Sequence, residues 1–547
     1  MNKKMIVVFF CTLLMVSTVF SVVGIVPRVT AGANQAGNDA SRGWISLPPP
    51  ENVSMILEQS ICRRMSFRTY TTESVTDADL STILWAAYGR TDNGGRTVYS
   101  PNGTYSTTLY VIRSDATYIY VPGNHSLYLW RTGNYLNLGE YTTPIKFGLV
   151  WHMSIALDEK AGMAEIGMIG QNIYFDANAL SLATVTTGGQ VNDLYQLGLP
   201  ANEKPEIIMP LGHPSSPYAF TYSPLAPSNL PAVVNNSMSL VEAVNARRIV
   251  NRWDNVSLTA LEQSQLIWCS YGFSYNIEAV SHTRHRTLPS AIDIYPFKIF
   301  VANKSGVYQY DPGTHSVSSV TQGDERAAIA TCLVLNNISV SSASLIIIPF
   351  WDKNIGSSSY IRWWYYEVGA IAHNVFLEMA ALNLTGNMLT VFSDVSGLRS
   401  ALGISSQTNL VPMAVVPVSH PYSTTPNTPP GTPSLAGPAS GKKGVQYNYT
   451  VSAVDADNDT VSYFVDWGDG TNSTWVGPFA SGTTVAVNHT WVKRGTYVIK
   501  AQVKDEHGAE SAWATLQVTM PAGLSWSPWL NIIGRLFHWF FVLWNYG

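Results

Sequence analysis

Apolar and polar positions along this chain follow two rhythms, and the change between them marks its organisation. In 53–64 and 77–88 apolar residues recur at helical spacing, the second stretch opened by the capping residue Thr76. Segments 107–112 and 297–302 read as strands. Segments 167–182 and 369–384 are long apolar stretches sprinkled with small residues, suited to buried helices, and 209–211 and 414–418 read as core strands. Beyond a Pro-, Thr-, Gly- and Ser-rich linker at 423–440 the pattern shortens to alternating segments at 447–454, 460–465, 483–489, 496–503 and 513–518. A tight turn at Asp466-Trp467-Gly468-Asp469-Gly470 lies among them. These predict an antiparallel β-sandwich over 441–521.

The helical and extended segments before the linker occur twice. Leu84-Trp85-Ala86-Ala87-Tyr88-Gly89 returns about 190 positions later as Ile267-Trp268-Cys269-Ser270-Tyr271-Gly272. Arg96-Thr97, Ser100 and Tyr105 return as Arg286-Thr287, Ser290 and Tyr295. Tyr120 and His125-Ser126 return as Tyr310 and His315-Ser316. Glu165-Ile166-Gly167 and Asn172 return as Glu367-Val368-Gly369 and Asn374, and His213-Pro214 as His420-Pro421. The order is kept throughout, so the body reads as a tandem repeat, 44–220 and 235–422, each copy mixed α and β.

The two chain ends are apolar. Lys3 and Lys4 precede an uncharged run over 5–26, followed by Pro27, Arg28 and Ala31. This describes an export signal or an N-terminal membrane anchor over 1–31 and predicts an extracytoplasmic body, secreted or held at the cell surface. Asn-x-Ser/Thr sequons at Asn52, Asn235, Asn303, Asn383, Asn448 and Asn488, among others, suit an exported glycoprotein. The tail 524–547 is rich in Trp and Phe and suits a membrane interface or a docked helix. A net charge of −4, with 12% charged residues and no basic block, argues against a nucleic-acid partner. Cys62, Cys269 and Cys332 show no metal-type spacing and read as buried free thiols. His125 and His315 read as turn hydrogen-bonders, and no metal site is expected.

Two motifs carry a resemblance. Arg64-Met65-Ser66-Phe67-Arg68 resembles the R-x-S-x-R/K element of the nitroreductase family. Arg286-Thr287-Leu288-Pro289-Ser290-Ala291-Ile292-Asp293-Ile294-Tyr295-Pro296 is similar to the R-T-x-P-S-A-G-A-x-Y-P segment of its SagB-type dehydrogenase branch. The resemblance implies an α+β fold that binds FMN at a dimer interface, with phosphate contacts from one subunit and P-S-A contacts from the other. Two fused repeats would then form a pseudo-dimer within one chain. The segment 441–521 resembles a PKD-type, Ig-like sandwich of archaeal or bacterial surface proteins, through Val465-Asp466-Trp467-Gly468-Asp469-Gly470-Thr471 and Gly495-Thr496-Tyr497. That family implies a spacer or adhesive module. Asp455, Asp457 and Asp459 supply oxygens of a kind that binds Ca²⁺, or form a solvated turn.

The repeats differ in what they keep. Repeat 1 has Arg64, Ser66, Arg68 and the pair Gly188-Gly189. Repeat 2 keeps Arg248 and Arg252 but has Val250 at the serine position and Thr390-Val391 at the glycine position. Repeat 2 keeps Pro289-Ser290-Ala291 and Tyr295, where repeat 1 has Tyr99-Ser100-Pro101 and Tyr105. By the resemblance, Arg64, Ser66, Arg68, Gly188 and Gly189 hold the FMN phosphate side and Pro289, Ser290, Ala291 and Tyr295 cover the ring, in one composite site. Two flavins, or none, are the other occupancies. The expected activity is that of an FMN-dependent oxidoreductase acting on a small or peptide-borne substrate. The alternative is a non-catalytic surface binding or scaffold protein that kept the fold. No catalytic acid, base or nucleophile stands out.

Overall fold

The computed structural model describes residues 43–521, apart from 102, 156–157, 226–227, 250–252, 255, 280–282, 335–336, 423–426 and 507. The expected export segment, the aromatic tail, Val250 and Arg252 lie outside the described residues. Among the described residues no helix is long and apolar enough to cross a membrane.

The first half builds a sheet from β1 (Trp44–Ser46), β2 (Thr107–Ile112), β3 (Ala116–Val121), β4 (Ser126–Thr132), β5 (Ile145–His152), β6 (Ala183–Thr184) and β7 (Glu203–Gly212). Its order is β1-β4-β3-β2-β5-β7-β6. A short ribbon follows, β8 (Phe220–Tyr222) on β9 (Asn276–Glu278). The second half contributes β10 (Phe297–Asn303), β11 (Gly306–Asp311), β12 (Ser316–Gln322), β13 (Leu345–Asp352), β14 (Thr385–Gly386), β15 (Leu410–Pro412) and β16 (Val416–Ser419). These run β12-β11-β10-β13-β16-β14, the same path from the outer hairpin inward, with β15 also on β13. The central strands β5 and β13 are buried along nearly their whole length, as their continuous apolar runs require.

Two 21-residue helices, Glu159–Ala179 and Ile361–Ala381, pack on each other between the sheets. Both begin earlier than the apolar stretches at 167 and 369 suggest. Their crossing is closed by glycine: a Cβ on Gly167 would stand 2.0 Å from the Tyr366 carbonyl oxygen, and one on Gly369 2.0 Å from that of Ala164. Backbone-to-backbone approach of this kind excludes any larger residue. Polar pairs fix the register. Gln171 Nε2 donates to Asn374 Oδ1 and to the Thr287 carbonyl, both at 2.9 Å, while His373 Nε2 meets Asn172 Oδ1 at 2.6 Å. The recurring asparagines make matching bonds, Asn172 to the Ala86 carbonyl and Asn374 to that of Cys269.

The first helix is shorter than its sequence pattern: it spans Leu57–Arg63, and Ile56 instead bridges Ser239 in extended backbone. The helix Asp77–Tyr88 forms where expected, with the Thr76 hydroxyl accepting from the Asp79 N–H. His125 and His315 adopt the same arrangement in the two halves. Their Nδ1 atoms meet Tyr120 and Tyr310 hydroxyls, and their Nε2 atoms meet Ser81 and Ser264. Cys62, Cys269 and Cys332 are buried and free.

A three-stranded and a four-stranded antiparallel sheet pack around Tyr449, Tyr463, Trp467 and Trp491, and the strand Ser434–Ala436 of the first, paired with Gln446–Ser452, lies inside the segment 423–440 expected to be a linker. The strand Asn472–Phe479 has no clear alternation in the sequence because it lies at a sheet edge, where most of its side chains are partly or fully exposed and Pro478 is tolerated. Asp455 Oδ1 accepts from the Asp457 and Asp459 N–H groups, and carboxylate oxygens of the three residues lie within 4.8 Å of one another.

Candidate functional site

A cavity of about 290 Å³ opens where the two halves meet. From the first half come Ser66, Arg68, Gly188 and Gly189, and from the second Pro289, Ser290 and Ala291. Seven of the nine residues expected to hold a cofactor therefore line one space.

Ser66 sits in a hydroxyl relay: its Oγ meets the Tyr174 hydroxyl at 3.0 Å, and that hydroxyl accepts the Thr186 N–H at 2.7 Å. Thr186 Oγ1 in turn meets the Tyr366 hydroxyl, from the other half, at 3.0 Å. Arg68 is exposed at the cavity with no hydrogen-bond or ion-pair partner among the described residues. The N–H groups of Gly188 and Gly189 likewise donate to nothing among the described residues. Glycine is required here for space, since a Cβ on Gly188 would lie 2.5 Å from Trp363 Cζ2. Trp363 is stacked on Tyr360, ring centroids 5.3 Å apart and planes 12° from parallel.

The opposite wall is held by Glu367. Its Oε1 accepts from Ser290 Oγ at 2.7 Å and from the Ala291 N–H at 2.8 Å. Complete burial pushes this carboxyl up to about 8, against the lowering effect of those two donors. The next residues turn sharply: Ile292, Asp293 and Tyr295 have φ of 49°, 59° and 52°. A left-handed β-branched residue is strained, which explains why the resembling segment carries Gly at the position of Ile292.

Two expected residues stand elsewhere. Arg64 is buried behind the cavity and does not line it. Its Nε and Nη2 donate to the Arg286 carbonyl at 3.3 and 3.2 Å, and its guanidinium lies 5.3 Å from the Tyr174 ring centroid. Tyr295 does not reach the cavity either; its N–H donates to Ser290 Oγ, and its ring lies beside Tyr271. The second-half counterpart of Arg64 is Arg247 and not Arg248. Arg247 donates to the carbonyls of Arg96, Thr97 and Val98, the mirror of the Arg64 contact. Arg248 instead reaches Asn383 at the surface. The slip arises because the two arginines are adjacent and the sequence alone does not say which one turns inward.

The reciprocal position carries larger side chains. Thr187 bridges Ile208 and Leu389 bridges Val415, so Gly188-Gly189 do correspond to Thr390-Val391. Tyr99, at the place of Pro289, sets its ring edge-on to Phe376, centroids 5.2 Å apart. Its hydroxyl donates to the carbonyls of Pro101 and Met388 at 3.4 and 3.5 Å. Phe376 stands where the first half has Tyr174, so the hydroxyl relay is missing too.

The nitroreductase family model matches residues 244–420. A protein of Methanocaldococcus jannaschii named as a nitroreductase is 30% identical over 190 residues, which cover 31% of this chain and 95% of that protein. The chain belongs to the nitroreductase family. A crystal structure from Anabaena variabilis, also named as a nitroreductase, shares the fold at 15% identity with a TM-score of 0.51, covering 70% of this chain and 95% of that one. Members of this family typically bind FMN. The PKD domain model matches residues 427–520. The PKD domain of an M14-like peptidase from a Thermoplasmatales archaeon is 47% identical, covering 18% of this chain and all of that one, with a TM-score of 0.18.

Tyr174, Thr186, Trp363 and Tyr366 were not anticipated as site residues. The sequence signal for them is the contrast between equivalent positions, Tyr174 against Phe376 above all.

Proposed function

We propose that this chain is an exported FMN-dependent oxidoreductase of the SagB-type dehydrogenase branch, whose two halves form a pseudo-dimer around one composite flavin site. The observation that carries the reading is the single cavity lined by Ser66, Arg68 and the Gly188-Gly189 pair from one half and by Pro289-Ser290-Ala291 from the other. The solved chain that matches 70% of this one is long enough to include both halves, which supports a tandem origin.

The residues present fit a flavin. A phosphate needs fixed donors, and the N–H groups of Gly188 and Gly189, the Arg68 guanidinium and the Ser66 hydroxyl supply them. The ring needs a partly apolar slot with a few polar contacts, which Ile207, Pro289, Ala291 and Trp363 line. Glu367 is a positioning residue that holds Ser290 and Ala291 against that slot. When bound, the flavin accepts and returns electrons or hydride; the chain orients it and limits access of water. The substrate enters from the side of Ile292, which is 64% exposed, and is small or peptide-borne.

Export is supported by the apolar run behind Lys3 and Lys4, by the sequons and by the PKD domain. An extracytoplasmic site lies away from the cytoplasmic nicotinamide pool, so its electron partner is a donor outside the cytoplasm or oxygen as acceptor.

The test is to purify the full chain, add FMN, remove the excess and follow the visible flavin spectrum through anaerobic reduction by dithionite and re-oxidation in air. Retained flavin that bleaches and recovers supports the reading. A folded chain that retains no flavin moves the assignment to a surface binding protein that kept the fold.

A further inference from the structure

The phosphate end of the cavity contains a carboxylate that the family motif does not explain. Glu140 lines the cavity, and its Oε1 lies 2.7 Å from where a Cβ on Gly189 would stand. Its backbone is anchored. The preceding Gly139 has φ +74° and donates its N–H to Asp193 Oδ2 at 3.2 Å, and the Leu138 carbonyl accepts from Lys146 Nζ at 2.5 Å. Leu138 itself is buried. The anchored backbone therefore puts a carboxylate against Gly189 in the cavity.

Charges of both signs stand at this end. Arg68 brings one positive charge and Glu140 one negative. Arg64, behind the cavity, keeps its charge while donating to the Arg286 carbonyl and, through Nη1 at 3.5 Å, to Ser66 Oγ, and Lys146 interacts with Asp193. A phosphate dianion entering here meets the Arg68 guanidinium, the more distant charge of Arg64 behind Ser66, and the opposing Glu140 carboxylate. The isoalloxazine and ribityl parts of a flavin are uncharged and do not feel the difference.

Resting on the flavin reading above, we propose that Glu140 sets the flavin selectivity of the cavity, weakening binding of the dianionic phosphate of FMN while leaving the neutral flavin riboflavin unaffected. The site then relies on ring and ribityl contacts more than on phosphate contacts. A partly screened unit charge about 5 Å from a dianion changes affinity by roughly fivefold to twentyfold.

The experiment is titration of the full chain with FMN and, separately, with riboflavin, read by flavin fluorescence, for the native protein and Glu140→Gln. Gln keeps the shape and removes the charge at an exposed position, so folding is preserved. The expected result is a fivefold or greater gain in FMN affinity in E140Q with less than a twofold change for riboflavin. Equal shifts for the two flavins, or no shift for either, would overturn the role of Glu140 while the flavin site stands. Binding of neither flavin to either protein would overturn the flavin reading and this proposal together.

Discussion

Arg64 and Arg286 lie 222 positions apart, yet the guanidinium of the first donates twice to the carbonyl of the second. The contact ties the R-x-S-x-R element of one half to the start of the R-T-x-P-S-A segment of the other. Arg64 therefore acts on the site through the segment it fixes and through Ser66 Oγ, to which its Nη1 donates at 3.5 Å, and Arg68 is the residue left facing the cavity.

Replacing each arginine separates these roles. Arg64→Ala removes a buried charged donor and strands the Arg286 carbonyl, at a cost of about 2–3 kcal/mol. Thermal unfolding of R64A is expected to shift clearly downward. Arg68→Ala, at an exposed position, should leave the unfolding midpoint almost unchanged and reduce retained FMN. An R64A protein of native stability that had lost only its flavin would put Arg64 back in the phosphate site.

Gly188 and Trp363 form a second cross-half pair. Gly188→Ala places a methyl against the indole, which is expected to push Trp363 off Tyr360 and lower flavin retention. Trp363→Ala in the same protein makes room for that methyl, so G188A should cost less in the W363A background. A double-mutant cycle on bound flavin measures the coupling, and additive losses would contradict the contact.

Burial of Glu367 makes stability depend on pH. Its folded value near 8 is above the ordinary 4.5, so between those values the native state holds a proton that the unfolded chain has released. Stability from this group is therefore lost as pH rises from about 4.5 to 8 and is level above that, a change on the order of a few kcal/mol. Glu165, the matching residue of the first half, is raised by burial and acts in the same direction. Comparing unfolding midpoints at pH 5 and pH 8, the drop should be smaller in Glu367→Gln than in the native protein. An equal drop would place the proton elsewhere.

Much of this site could be read from the sequence because its parts are short contiguous motifs. Ser66-x-Arg68, Gly188-Gly189 and Pro289-Ser290-Ala291 are each local in the chain, and all three line the same cavity although the last comes from a different half than the first two. The remainder depends on long-range packing. Trp363 and Tyr366 reach the cavity from a helix of the other half, and Glu140 arrives on a loop without periodicity. The inward-facing arginine of the second half, Arg247, is told from its neighbour only by the carbonyls it meets. The early end of the predicted helix at 53–64 has a similar cause: Val53 is buried, and Ile56 is partly buried in extended backbone against Ser239, so apolar spacing there does not mean helix.

The central claim, one composite flavin site in a two-half body, is tested most directly by counting flavin per chain. The full-length protein saturated with FMN, freed of excess by gel filtration and measured for flavin and protein, should carry one flavin. Tyr99 and Phe376 occupy the reciprocal position, so the count should remain one at higher FMN. Two flavins per chain would contradict the account, because both positions would then be open.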